Sequence, residues 1–125
     1  MLIEALAFWT AEADGSRLKP HLRSAVIQSF EFSYELSLRM LRRVVMERST
    51  SPPSVAELSF ADLLRSAADA GLLADPQGWR EWRELRNATS HAYSEAKAQA
   101  VAERTAGFAA DASALLAAME ASLGH

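Results

Sequence analysis

The chain has 125 residues, no cysteine, 50% hydrophobic and 23% charged residues, and a formal net charge of -3. Such a chain is one ordinary globular domain, able to bury roughly two thirds of its unfolded surface, which excludes a disordered polymer, a disulfide framework and any thiolate zinc site. The acidic balance excludes non-specific coating of nucleic acid, which needs a large positive excess, and no apolar run approaches the roughly 20 residues of a bilayer span.

The start, Met1 to Trp9, carries Glu4 and no basic n-region, so it is expected to be helix rather than a secretion signal, and the protein is expected in the cytoplasm. Leu2, Leu6 and Trp9 stand at helical spacing and predict a first helix over Leu2 to Glu12, broken by Asp14, Gly15 and Ser16. After Pro20, an unbroken stretch from His21 to about Arg48 predicts a long central helix. Its apolar face is Leu22, Val26, Phe30, Leu41 and Val44, broadened by Phe32, Leu36 and Met40. Ser49 to Pro53 reads as a loop, because proline lacks the amide donor and disfavours helical geometry just before it. Ser59 is placed to cap a third helix over Phe60 to Ala70, with Phe60, Leu63, Leu64 and Ala67 inward and Gly71 just past its end. Asp75 and Pro76 make an N-cap and first-turn pair for a fourth helix, running through Trp79, Trp82 and Leu85 towards Ser90. Ser94 and Glu95 open an alanine-rich last helix, in which Val101, Phe108, Leu115 and Met119 recur at spacings of seven, seven and four. Nothing alternates with period two, so the expectation is a single all-α domain over 1–125, an antiparallel up-and-down helical bundle of four to five helices.

Chemistry is concentrated in Arg83 to Tyr93, RELRNATSHAY. On a helical wheel Arg83, Arg86, Asn87, Ser90 and His91 share a strip with Trp79 beside it, while Trp82, Leu85 and Ala88 take the other side. Arg86 and His91 are five apart, about 140° around an ideal helix, so one straight helix does not aim both at one atom. A two-fold axis through the strip would bring both pairs into one cleft, because an isologous interface duplicates whatever lies on it. Arginine binds phosphate oxygens bidentately and offsets developing charge, and histidine moves protons near neutral pH, a sufficient kit for phosphodiester chemistry without metal. Asn87 can hold a phosphate oxygen or orient the imidazole. RNA fits this kit, since its 2′-hydroxyl supplies the nucleophile and a cyclic phosphate would follow.

The spacing Arg86-x4-His91-x-Tyr93, with Asn after the Arg, resembles the RX4HXY motif of HepT-type toxins in the HEPN superfamily, small dimeric all-helical ribonucleases. VIQSFEFSYELSLRMLRR, Val26 to Arg43, and LRNATSHAYSE, Leu85 to Glu95, also resemble the nucleotidyltransferase substrate-binding protein family, a close relative of those toxins. The resemblance implies a HEPN-like fold, a homodimer and a separately encoded minimal nucleotidyltransferase as partner. In the toxin branch that partner is the antitoxin, which adenylylates the motif tyrosine. Carried over, Arg86 and His91 would be catalytic, Asn87 auxiliary and Tyr93 the modification site. The resemblance equally admits a non-catalytic subunit that binds substrate or docks the transferase.

Each signal also has a plainer reading. His91 can cap the last carbonyls of the fourth helix. Glu31 and Glu35 continue a polar stripe on the central helix, favoured as a solvated face with a Glu35 to Arg39 ion pair. The alternative turns that stripe toward Arg86, so that a carboxylate orients Arg86 or His91 or meets RNA or the partner protein. A metal at these carboxylates is disfavoured, with His91 the one histidine near enough, and no cofactor is expected. Arg39, Arg42, Arg43 and Arg48 make the second half of the central helix basic, as Arg80, Arg83 and Arg86 do the fourth. Trp79 beside Arg83 and Arg86 could stack an unpaired RNA base, although tryptophan at helical spacing is more often core.

Overall fold

The computed structural model describes residues 1–91 and 94–123, so Tyr93 lies outside the described residues. Their secondary structure is wholly helical: α1 (Leu2–Ala11), α2 (Lys19–Arg48), α3 (Pro52–Ala56), α4 (Phe60–Asp69), α5 (Pro76–Thr89) and α6 (Glu95–Leu123). The expected all-α bundle is therefore present, with one helix more than expected.

The extra helix is α3, where the sequence reads as a loop. Pro52 and Pro53 occupy its first turn, the position where a missing amide costs nothing and the fixed φ is already helical. The helix is held from α2: Arg42 Nη1 donates to the carbonyls of Val55, at 2.9 Å, and Leu58, at 3.0 Å. Pro20 likewise sits inside the first turn of α2, which starts at Lys19. Lys19 then caps the preceding helix, its Nζ donating to the carbonyls of Trp9 and Glu12.

The sequence caps of the shorter helices form as expected. Ser59 Oγ accepts from the Asp62 amide at 3.2 Å, and Asp75 Oδ1 accepts from the Gly78 amide at 3.1 Å. Gly71 takes φ +79° after α4, a left-handed conformation that a Cβ would disfavour.

α2 is the axis of the molecule, packed most extensively on α6 and α1 and touched by α3, α4 and α5. The centre of the core is Phe108 of α6, fully buried and ringed by aromatic neighbours. Phe30 meets it edge-on at 4.9 Å between centroids, and Trp79 and Trp82 each stand at 5.7 Å in the same T-shaped manner. Trp82 lies close on α6 because residue 107 is glycine: a Cβ there would meet the indole at 3.2 Å. Its Nε1 then donates to Asp111 Oδ2 at 2.7 Å, which satisfies the polar edge of a half-buried ring.

Phe32, Leu36 and Met40, expected to broaden the buried face of the central helix, are exposed. They stand four residues apart and form an apolar stripe along one side of α2. The core side of that helix is instead Val26, Phe30, Tyr34, Leu41, Val44 and Val45.

Candidate functional site

Two elements build the site: α5 and the middle of α2. Trp79 and Arg86 are seven residues apart on α5 and so share nearly one azimuth. Trp79 is drawn into the core against Phe108, and Arg86 points the same way one level along, where the core ends and α2 presents carboxylates. The strip read from the wheel is thus split. Arg86 lies on the inward edge, whereas Arg83, Asn87 and Ser90 are exposed. Trp79 belongs to the core at 4% exposure and offers no face to a base, a correction to the stacking platform. Ala88, placed on the core side by the wheel, is exposed, while Trp82 and Thr89 join Leu85 facing inward.

Glu31 and Glu35 stand one turn apart on α2, and both turn toward Arg86. Arg86 Nη1 lies 3.1 Å from Glu31 Oε2, and Nη2 lies 2.8 Å from Glu35 Oε1. Of the two readings of that stripe, the structure takes the one that turns it inward, and Glu35 pairs with Arg86 rather than Arg39. The reason is tertiary: α5 crosses α2 with its guanidinium beside these two turns, and a partly desolvated cation attracts carboxylates more strongly than an exposed one does.

Thr89 completes the cluster and has no counterpart among the residues singled out from sequence. Its Oγ accepts from Arg86 Nη1 at 3.0 Å and lies 2.7 Å from both Glu31 Oε2 and the Arg86 carbonyl, either of which can take its proton. The signal was available: Thr89 is seven residues beyond Trp82 and three beyond Arg86, hence inward and within reach of the guanidinium. Glu31 and Arg86 are 30% and 26% exposed, but Glu35 is 52% exposed, so the Glu35 arm faces water. Arg86 Nε is buried and without a hydrogen-bond partner among the described residues.

The cluster has a definite charge. One guanidinium against two carboxylates leaves a local excess of one negative charge, so an anion reaches Arg86 only by displacing a carboxylate. Beneath it lies Tyr34, buried, whose phenol is pushed up to about 12 by burial, against the opposing pull of the Arg83 and Arg86 guanidiniums. Tyr34 therefore stays protonated at neutral pH and adds no further negative charge.

α5 ends at Thr89, and Ser90 is its C-cap with φ -68° and ψ -15°. His91 follows outside the helix, its amide donating to the Ala88 carbonyl at 3.0 Å and its side chain exposed. The wheel angle that separated His91 from Arg86 consequently does not apply, because residue 91 lies past the last helical turn. Arg83 is directed elsewhere, its guanidinium 4.5 Å above the Phe60 ring. Among the described residues no group of three or more His, Asp or Glu is disposed to hold a metal ion, and no helix is long and apolar enough to cross a membrane.

Comparison with known proteins adds the family. Residues 4–121 match the family described as nucleotidyltransferase substrate binding protein like. A Haemophilus influenzae protein named "Probable ribonuclease HepT" is 39% identical over 95 residues, covering 76% of this chain and 65% of that protein's length. A solved structure from the same organism, described as revealing the fold of a substrate-binding domain of a nucleotidyltransferase, superposes with a TM-score of 0.86 at 31% identity. That superposition covers 95% of this chain and 91% of the other.

Proposed function

Because the chain belongs to the nucleotidyltransferase substrate-binding-protein-like family, we propose that it is the HepT-like, HEPN-type component of a two-gene nucleotidyltransferase system and a metal-independent endoribonuclease. The observation that carries the reading is the placement of Arg86. Glu31 and Thr89 fix the guanidinium at the rim of the core, and the solvent-facing Glu35 occupies the side from which a phosphate would approach. A phosphodiester displaces Glu35 and takes over the outer edge of the guanidinium, while Glu31 keeps the side chain in place. The His91 imidazole accepts the 2′-hydroxyl proton as that oxygen attacks phosphorus. The bond to the 5′-oxygen breaks, and a protonated imidazole returns a proton to the leaving oxygen, giving a 2′,3′-cyclic phosphate and a free 5′-hydroxyl. Arg86 offsets the charge on the phosphorane, and Asn87 holds a non-bridging oxygen.

Two imidazoles in opposite protonation states are most simply supplied by two subunits. The exposed stripe Phe32, Leu36 and Met40 runs beside the Glu31 and Glu35 turns of α2 and continues into an apolar groove with Ile3 and Leu116. A second copy of the chain covering that stripe removes it from water and sets the two Arg86 sites on one symmetric cleft. Cleavage of a labelled single-stranded RNA tests the reading. Wild-type protein cuts, Arg86→Ala and His91→Ala do not, and both variants sediment as the same dimer. Wild-type protein that leaves RNA intact at any concentration overturns it. On co-expression with the partner transferase, an added adenylate mass that Tyr93→Phe abolishes supports the toxin branch.

A second reading is favoured by the two carboxylates already held on Arg86: a non-catalytic subunit that presents substrate to, or docks, a separately encoded nucleotidyltransferase. It expects an intact RNA substrate together with stable capture of the transferase by the wild-type chain.

A further inference from the structure

Next to the Arg86 cluster, α2 changes character. Upstream it presents Glu31 and Glu35; one turn on, it presents Arg39, Arg42 and Arg43. These arginines rim an open groove of about 550 Å³ between α2 and α4, whose floor is apolar and includes Leu38, Met46 and Phe60. Among the described residues no carboxylate lines it. Arg42 is committed to the fold through the Val55 and Leu58 carbonyls, but Arg39 and Arg43 are exposed and form no ion pair among the described residues. Arg83 of α5, stacked at 4.5 Å on the lining residue Phe60, adds a further guanidinium beside the groove. A chain with net charge -3 thus concentrates cations on one apolar-floored channel, next to the arginine assigned to the phosphate clamp.

Resting on the RNA-cleaving reading above, we infer that this groove is a second, non-catalytic RNA subsite, which takes the single strand flanking the phosphate held at Arg86. Arg39 and Arg43 carry its phosphates, and Phe60 with the Arg83 plane receives its bases. Three features favour an RNA strand. Arg39 and Arg43 leave α2 one turn apart, about 6 Å along the helix axis, a spacing suited to successive rather than shared anionic groups. The flat ring of Phe60 under a guanidinium is the kind of surface on which unpaired bases stack without regard to sequence. Arg39 also follows Glu35 by one helical turn, so the groove lies along α2 next to the Arg86 cluster.

The test compares two substrates. Labelled oligouridine about a dozen nucleotides long spans both sites, and a dinucleotide reaches only Arg86 and His91. Arg39→Gln with Arg43→Gln is expected to weaken binding of the long strand about tenfold. It should also flatten the slope of log affinity against log salt by about 1.4, two charges at roughly 0.7 each on single strands. Dinucleotide cleavage and the thermal midpoint should stay unchanged. Phe60→Leu, which keeps the floor apolar, should weaken the long strand and leave the salt slope alone. Unchanged affinity and slope in the double variant overturn the subsite while cleavage stands. Binding by the long strand that depends on Arg39 and Arg43, with no cleavage by wild type, supports the subsite and overturns the ribonuclease reading. If the double variant instead loses only the co-expressed transferase, the groove is a protein-docking face and the inference fails.

Discussion

α5 meets the rest of the molecule in two ways within about three turns. At Trp79 and Trp82 the contact is mainly dry and aromatic, closed on Phe108, which Phe30 meets from α2. At Arg86 and Thr89 it is ionic and half-open, closed on Glu31 and Glu35. The same face of the same helix serves both, and so does the same pair of turns on α2, where Phe30 and Tyr34 alternate with Glu31 and Glu35. The aromatic end is stabilised by area removed from water and tolerates no ligand. The ionic end holds its groups in place by directional bonds, yet keeps one carboxylate half in solvent, the one that the proposed phosphate displaces. The ionic cluster forms where the core runs out one turn before the helix does.

The contrast can be broken at its dry end first. Phe108→Ala removes the ring around which four aromatic neighbours pack and is expected to lower unfolding stability by about 3–5 kcal/mol in chemical denaturation. A loss below about 1 kcal/mol would show that the neighbours collapse freely and that the hub is not one.

Tyr34 sits between the two ends and gives a pH test. Its folded pKa, about 12, lies above the ordinary value of 10.0, so the folded state holds the phenol proton more tightly than the unfolded chain. Stability from this source is complete below pH 10 and lost as pH rises toward 12, by at most about 2 kcal/mol. Denaturant midpoints between pH 9 and 12 should therefore fall more steeply for wild type than for Tyr34→Phe. Parallel curves would place the phenol in contact with water.

At the ionic end, Arg86→Ala strands two carboxylates, but both reach solvent, so the stability cost should be about 1–2 kcal/mol while RNA cleavage disappears. The reverse pattern, intact cleavage with a large loss of stability, would make the cluster a strut between α2 and α5. The smallest expected effect separates the two carboxylates. Glu35→Gln should change stability by under about 0.5 kcal/mol and raise RNA affinity several-fold, whereas Glu31→Gln should lower the cleavage rate by loosening Arg86. Equal responses to the two changes would erase the distinction between the exchangeable and the fixing partner.

Much of this was legible in the chain. The helices around Trp9, Phe30, Leu64, Trp79 and Phe108 follow from apolar spacing, and the starts of α4 and α5 follow from Ser59 and Asp75, because these are local interactions within a few residues. Arg86 and His91 were marked by spacing and by resemblance. Two misreadings came from treating a helix as if it stood alone. Trp79 looked adjacent to an exposed strip because a wheel has no outside, and only the position of α6 shows that its azimuth is interior. Ser49 to Pro53 looked unable to form helix, but Arg42 from α2 and the first-turn tolerance of proline allow one to start at Pro52.

The order of residues by itself determined that this protein is helical, where α4 and α5 begin and that Phe30 and Phe108 lie in its core, since each of these depends on period, capping and hydrophobic area along one segment. Tertiary structure decided which polar residues meet. Glu31, Glu35, Arg86 and Thr89 span two helices and a separation of more than fifty residues, and nothing local ranks Arg86 above Arg39 as the partner of Glu35. The packing of α5 on α2 makes that choice, because a carboxylate half out of water is stabilised most by the cation that the core has already fixed beside it.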